Sequence, residues 1–125
     1  TKCKYLIKLM QYLNNSMDRG LKFIGGNSVN LQIYADASFM AHNDLYGRTG
    51  IIVVASNSVI ATKSAKQTLL AMSSTEAEVI SLYSAIRIST ELRDKCTSFN
   101  IECNKPLIFQ DNKNILAMLD KPKPY

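Results

Sequence analysis

Three carboxylates in this chain stand where elementary chemistry gives them something to do. Asp36 lies within "NLQIYADASF" (30–39), where Leu31, Ile33 and Ala35 alternate with Gln32, Tyr34 and Asp36 in the period-2 pattern of a half-buried strand. Aspartate is disfavoured inside strands, and burying its charge is expensive without a partner. Glu78 falls in the first turns of a long helical segment, on the same side as Leu82 and Ala85. Asp111 stands where the strand-like "PLIFQD" gives way to "NKNILAM". If that strand paired parallel beside the first, Asp36 and Asp111 would be neighbours and Glu78 could lean over them. Three carboxylates converging in a water-poor pocket repel one another, and an all-oxygen donor set suits a divalent cation, Mg²⁺ or Mn²⁺. Each acid also has a plainer use. Asp111 suits the N-cap of the following helix, Glu78 could close a capping box with Thr75, and Asp36 could bond the backbone at a strand end.

The elements that must position these groups are legible in the pattern. Residues 3–14, "CKYLIKLMQYLN", carry Leu6, Leu9, Met10 and Leu13 as one stripe of an amphipathic helix. A polar turn containing Gly20 ends it, "LKFI" (21–24) reads as a short strand, and "GGNS" is a second turn. After the strand at 31–39 and a polar loop, "TGIIVVA" (49–55) reads as a central strand. "SNS" (56–58) forms a hairpin turn into "VIATKS" (59–64). Three strands in such close order are most simply an antiparallel meander. The segment 73–96 is the longest helix, opened by the capping box of Ser73 and Glu76, with Ala77, Ile80, Leu82, Tyr83, Ile86 and Leu92 as its apolar face. Residues 106–111 read as a fourth strand, apolar enough to be buried, and a last helix is stopped by Pro122. The order βββαβα implies a mixed sheet with a parallel crossover.

The bulk numbers bound the answer. A chain of 125 residues, 46% hydrophobic and 20% charged, has the makeup of one folded domain. Its longest apolar runs, such as "IIVVA", are far too short to cross a bilayer, and no secretory signal opens it. A net charge of +5 favours a polyanionic partner, nucleic acid being the commonest. Cys3, Cys96 and Cys103 include no C-x-x-C pair, and His42 is the sole histidine, so a zinc site is not expected. The cysteines read as reduced thiols of an intracellular protein, Cys96 and Cys103 as packing residues.

Taken together, these segments resemble the ribonuclease H domain of copia-type LTR retrotransposon Pol polyproteins, preceded by the end of the reverse transcriptase. "LMQYLNNSMDRGLKF" is similar to that family's R-Y-L-x-G-T-x-x-x-G-L, "YADASF" to its Y-x-D-A-D/S-W, and "GRTGIIV" to its S-T-S-G-Y-V-F strand. "ATKSAKQTLLAMSSTEAEVISLYSA" resembles its W-x-S-K-K-Q…S-S-T-E-A-E-Y-x-A-L-x-x-A, and "IFQDNKNILAM" its I-x-x-D-N-x-S-A-I-x-L. The resemblance implies a ribonuclease H-like α/β fold, with residues 1–27 the end of the reverse transcriptase and 28–125 the ribonuclease H-like domain. It implies Asp36, Glu78 and Asp111 as catalytic metal ligands for two Mg²⁺ or Mn²⁺ ions, leaving Glu76 as the cap. It implies hydrolysis of the RNA strand of an RNA–DNA hybrid, beside the reverse transcriptase of the same polyprotein, in the cytoplasm (a virus-like particle) or the nucleus, with no membrane partner. Arg48, Lys63 and Lys66, expected in or beside loops near the strand ends, are candidate phosphate contacts; Asn112 is a helix-start or substrate-side residue.

The chain departs from the family pattern at Phe39, where Trp is usual, and at Ala65, within the S-K-K-Q motif. The family's fourth acid lies in an A-D-x-x-T-K segment beyond the last position here, and the fold's fifth strand and final helix are expected to be missing. Asp120 reads as a solvated helix end. Two alternatives therefore stand beside the nuclease. One is an inactive or domesticated fragment that only binds nucleic acid or serves as a scaffold. The other is an integrase- or transposase-like nuclease, against which the "SSTEAE" helix and the reverse-transcriptase-like start both argue.

Overall fold

Alternating apolar residues build the sheet directly. In the computed structural model, which describes residues 2–26, 28–40 and 46–120, β1 (Leu31–Ser38), β2 (Arg48–Ala55) and β3 (Ser58–Lys66) form the expected antiparallel meander. Ser56 and Asn57 turn β2 into β3 with φ of 47° and 68°, the left-handed pair of a type I′ hairpin. β4 (Leu107–Phe109) joins β1 in parallel, Ile33 opposite Ile108, giving the order β3-β2-β1-β4. A parallel neighbour requires a crossover, and α2 (Ser74–Ser98) supplies it. The result is a ribonuclease H-like mixed α/β arrangement.

The core is a single layer between the sheet and α2. Leu31, Ile33 and Ala35 of β1, Ile51 and Val53 of β2, and Ala85 of α2 form it, with Ile88, Leu92, Cys103 and Ile108 at its margin. Ile33, Ile51 and Val53 are fully buried, each contributing about 1.5–3 kcal/mol of hydrophobic stabilisation. The capping box holds: Ser73 Oγ accepts from Glu76 N at 3.1 Å, while Glu76 Oε2 reaches back to Met72 N at 2.7 Å. At the other end Asn100 takes a left-handed φ of 53° and Ile101 N donates to Cys96 O at 2.8 Å, closing the helix.

Several expectations need correction. The apolar face assigned to α2 holds only in part: Ala77 is buried and Leu92 packs at the core margin, but Tyr83 and Ile86 are exposed, and the other buried positions are Glu78, Ser81, Ala85 and Ser89. Small side chains win because they let the helix axis approach the sheet closely. Residues 21–24 form no strand; Ile24 N donates to the Ser58 hydroxyl at 2.8 Å rather than to a neighbouring backbone. The fourth strand is shorter than expected and is not buried, since it lies at the sheet edge and its Leu107 and Phe109 point away from α2. Tyr34 and Phe109, opposite each other in the register, stack with ring centroids 4.7 Å apart on that outer face.

α1 (Lys2–Asn15) forms as expected, with its stripe of Leu6, Leu9, Met10 and Leu13 exposed. α3 (Lys113–Leu119) is short and buries Ile115. The three cysteines are free, and Cys103 packs against the core. No helix is long and apolar enough to cross a membrane among the described residues. His42, Pro122 and most of the polar loop after β1 lie outside the described residues.

Candidate metal centre

Three different elements deliver the three carboxylates to one place. Asp36 sits near the end of β1, paired with Gly50 of β2. Its Oδ1 accepts from the Ala37 backbone N–H at 2.9 Å. Asp111 follows β4 directly, so the parallel pairing of β4 with β1 carries it alongside Asp36. Glu78 comes from the first turns of α2, whose closeness to β1 is fixed by Ser81: this buried hydroxyl donates to the Asp36 carbonyl at 2.8 Å. One ligand oxygen from each of Asp36, Glu78 and Asp111 lies within 4.8 Å of the others.

The electrostatics follow from that grouping. Asp36 and Asp111 are exposed, whereas Glu78 is only 8% exposed. Burial pushes the Glu78 carboxyl above its ordinary range, and the charges of Asp36 and Asp111 push the same way. Hydrogen bonds from the Gln110 side chain and the Ala37 backbone pull it down. Gathered hard oxygen donors fit a divalent cation, which would offset the repulsion. The donor set does not by itself choose the cation.

The remaining expected residues fall differently. Lys63 lies within β3, inside its expected range 59–64, while Arg48 and Lys66 become the end residues of β2 and β3, which extend one and two residues beyond the expected bounds there. Arg48 opens β2 opposite Lys66, whose ammonium lies 4.2 Å from the Tyr46 ring centroid. Lys63 is in β3 and lines a groove of about 900 Å³ on the outer face of the sheet, shared with Tyr34, Asp36, Phe109 and Asp111. Asn112, rather than Asp111, is the N-cap of α3, its Oδ1 accepting from Asn114 N and Ile115 N. That assignment leaves the Asp111 carboxylate available to the cluster. Asp120 is the exposed C-cap residue of α3, as expected.

Two residues around the site escaped the sequence reading. Gln110 donates through Nε2 to Glu78 Oε2 at 2.9 Å and accepts at Oε1 from the Asp111 N–H at 2.8 Å. Its only signal was a polar side chain closing an apolar strand. Gln67, 4% exposed, donates through Nε2 to Thr49 Oγ1 at 3.1 Å and to Ala77 O at 2.8 Å. It thereby ties β2 to the turn of α2 that carries Glu78. Its Oε1 is buried without a partner, a penalty of about 1–3 kcal/mol that the surrounding packing sustains.

No protein-family model matches the chain, and no solved structure does. A curated relative is informative: over 122 residues the chain is 34% identical to the "Retrovirus-related Pol polyprotein from transposon RE2" of Arabidopsis thaliana. The similarity covers 94% of the chain but only 8% of the plant protein's length. This likeness along nearly its whole length relates the chain to one segment of a retrotransposon Pol polyprotein.

Proposed function

We propose that the chain is the ribonuclease H segment of a copia-type Pol polyprotein, hydrolysing the RNA strand of RNA–DNA hybrids during reverse transcription. The observation that carries this reading is the convergence of Asp36, Glu78 and Asp111 from β1, α2 and the end of β4. Residues 28–125 would form the nuclease and residues 1–27 the end of the reverse transcriptase, acting in the cytoplasm or nucleus.

In this reading Asp36, Glu78 and Asp111 hold two Mg²⁺ or Mn²⁺ ions. When bound, such ions supply an activated water and stabilise the departing oxygen of a phosphodiester. The three carboxylates fix where the scissile phosphate sits. Lys63, on the groove that also contains Asp36 and Asp111, together with Arg48 and Lys66, supplies positive charge for the nucleic-acid backbone. Such contacts read the shape and 2′-hydroxyls of a hybrid and not its sequence. Asn112 is occupied as a helix cap, so it acts on the site by orienting the chain after Asp111.

The test is cleavage of an end-labelled RNA–DNA hybrid by the purified chain in Mg²⁺ and in Mn²⁺, with Asp36→Asn as control. Metal-dependent cutting of the RNA strand alone, lost in the variant, is the expected result. A folded chain that retains the hybrid without cutting it would instead support the binding or scaffold reading.

A further inference from the structure

Gln110 makes two hydrogen bonds with one planar group, and both end at the acidic cluster. Nε2 donates to Glu78 Oε2 at 2.9 Å, and Oε1 accepts from the Asp111 backbone N–H at 2.8 Å. The pairing leaves no freedom in how the amide is placed: turning it over would set oxygen against a carboxylate oxygen and N–H against N–H. We propose that Gln110 is a positioning residue for cation binding, holding the Glu78 carboxylate in register with Asp111. The inference rests on the metal-site reading above.

The need for such a residue follows from the site itself. Glu78 has a long side chain with several rotatable bonds, and its two neighbours of like charge push it outward. Ordering it against that repulsion calls for attractive contacts; the Ala37 backbone supplies one, and the Gln110 amide supplies the side-chain one. A Lys or Arg there would pair with Glu78 and compete with an incoming cation. A carboxamide donates a hydrogen bond while leaving the full negative charge in place. Because Oε1 of the same amide is anchored on Asp111 N–H, Glu78 on α2 is referenced to the chain segment that carries Asp111. One neutral side chain thus joins α2 to the end of β4 at the site.

The experiment is calorimetric titration of Mn²⁺ into the full chain, comparing wild type, Gln110→Met, Gln110→Ala and Asp36→Asn. Gln110→Met keeps the side-chain length without either hydrogen bond, so it remains informative should the Ala variant fold poorly. Circular dichroism and melting in EDTA establish that the variants are folded. Removal of an outer-shell partner weakens metal affinity by about 10–100-fold, and that loss is expected for both Gln110 variants. A folded Gln110→Met that binds Mn²⁺ within about twofold of wild type, while Asp36→Asn does not bind, overturns the positioning role alone. Equal Mn²⁺ binding by wild type and Asp36→Asn overturns the metal-site reading, and the role of Gln110 with it.

Discussion

Replacing Asp36 with Asn should make the metal-free protein more stable. The substitution keeps the shape, and the Asn side-chain oxygen can still accept from Ala37 N, the bond Asp36 makes at 2.9 Å. What disappears is one of three negative charges whose ligand oxygens lie within 4.8 Å. At that separation a like-charge pair costs about 0.9 kcal/mol in water and about 3.5 kcal/mol at an effective dielectric of about 20. Asp36 and Asp111 are exposed, so the watery limit governs and salt screens it further. Relief of two pairs therefore amounts to about 1–2 kcal/mol. With an unfolding entropy of about 2.1 cal/mol/K per residue over 125 residues, that is a rise in Tm of about 4–8 °C. Differential scanning calorimetry in EDTA at low salt measures it. Adding Mn²⁺ should raise the wild-type Tm and close the gap, because the cation binds only the folded, fully charged site. A variant that melts at or below the wild-type temperature in EDTA would show that the carboxylates are not electrostatically strained, and would refute the reasoning.

Two further outcomes are open to measurement. The Glu78 carboxyl is raised in the folded protein by burial and then by its acidic neighbours, opposed by Gln110 and Ala37. The folded state therefore holds that proton more tightly than the unfolded chain, and the stabilisation it brings is complete below the unfolded pKa of about 4.5 and is lost as pH rises through the folded value. Urea unfolding in EDTA should accordingly show wild type losing stability relative to Glu78→Gln between mildly acidic and neutral pH; parallel curves would contradict this. At Gly47 an added methyl would come within 2.8 Å of the Ser38 carbonyl as well as striking Gln67, and backbone cannot give way as a flexible side chain does. Gly47→Ala should cost about 1–3 kcal/mol by the same denaturation assay, and a loss near zero would mean the β2 entry rearranges freely.

How much of this was legible in the sequence depended on whether a residue's signal was local. The period-2 run of β1, the continuous apolar run of β2, the hairpin turn at 56–58 and the Ser73/Glu76 cap are set by near neighbours, and they were read correctly. The nearness of Asp36 to Asp111 was also readable, because it follows once β4 is parallel to β1. Burial was less legible. Tyr83 and Ile86 carry apolar side chains yet face solvent, while Ser81 and Ser89 are buried, because helix-to-sheet distance and not hydropathy selects the contact face. β4 reads as a core strand from its composition, yet its edge position leaves Leu107 and Phe109 uncovered. The roles of Gln67 and Gln110 could not be read from pattern, although Gln67 falls on the last position of the S-K-K-Q motif. Their partners lie 10 and 32 positions away, and an amide's role is defined only by what it touches.

The small-residue face of α2 has a meaning for how the acidic site can change over time. Ala77, Ser81, Ala85 and Ser89 act as spacers whose thickness fixes how high Glu78 stands above the β1 backbone. None of them adds a carboxylate to the cluster, yet a larger side chain at Ala85 or Ser81 must lift the helix and carry Glu78 with it. The calibration of the three acids is thus stored in residues that add no acid to the cluster. A lineage could preserve Asp36, Glu78 and Asp111 intact and still lose the site through a single added methyl elsewhere on the helix.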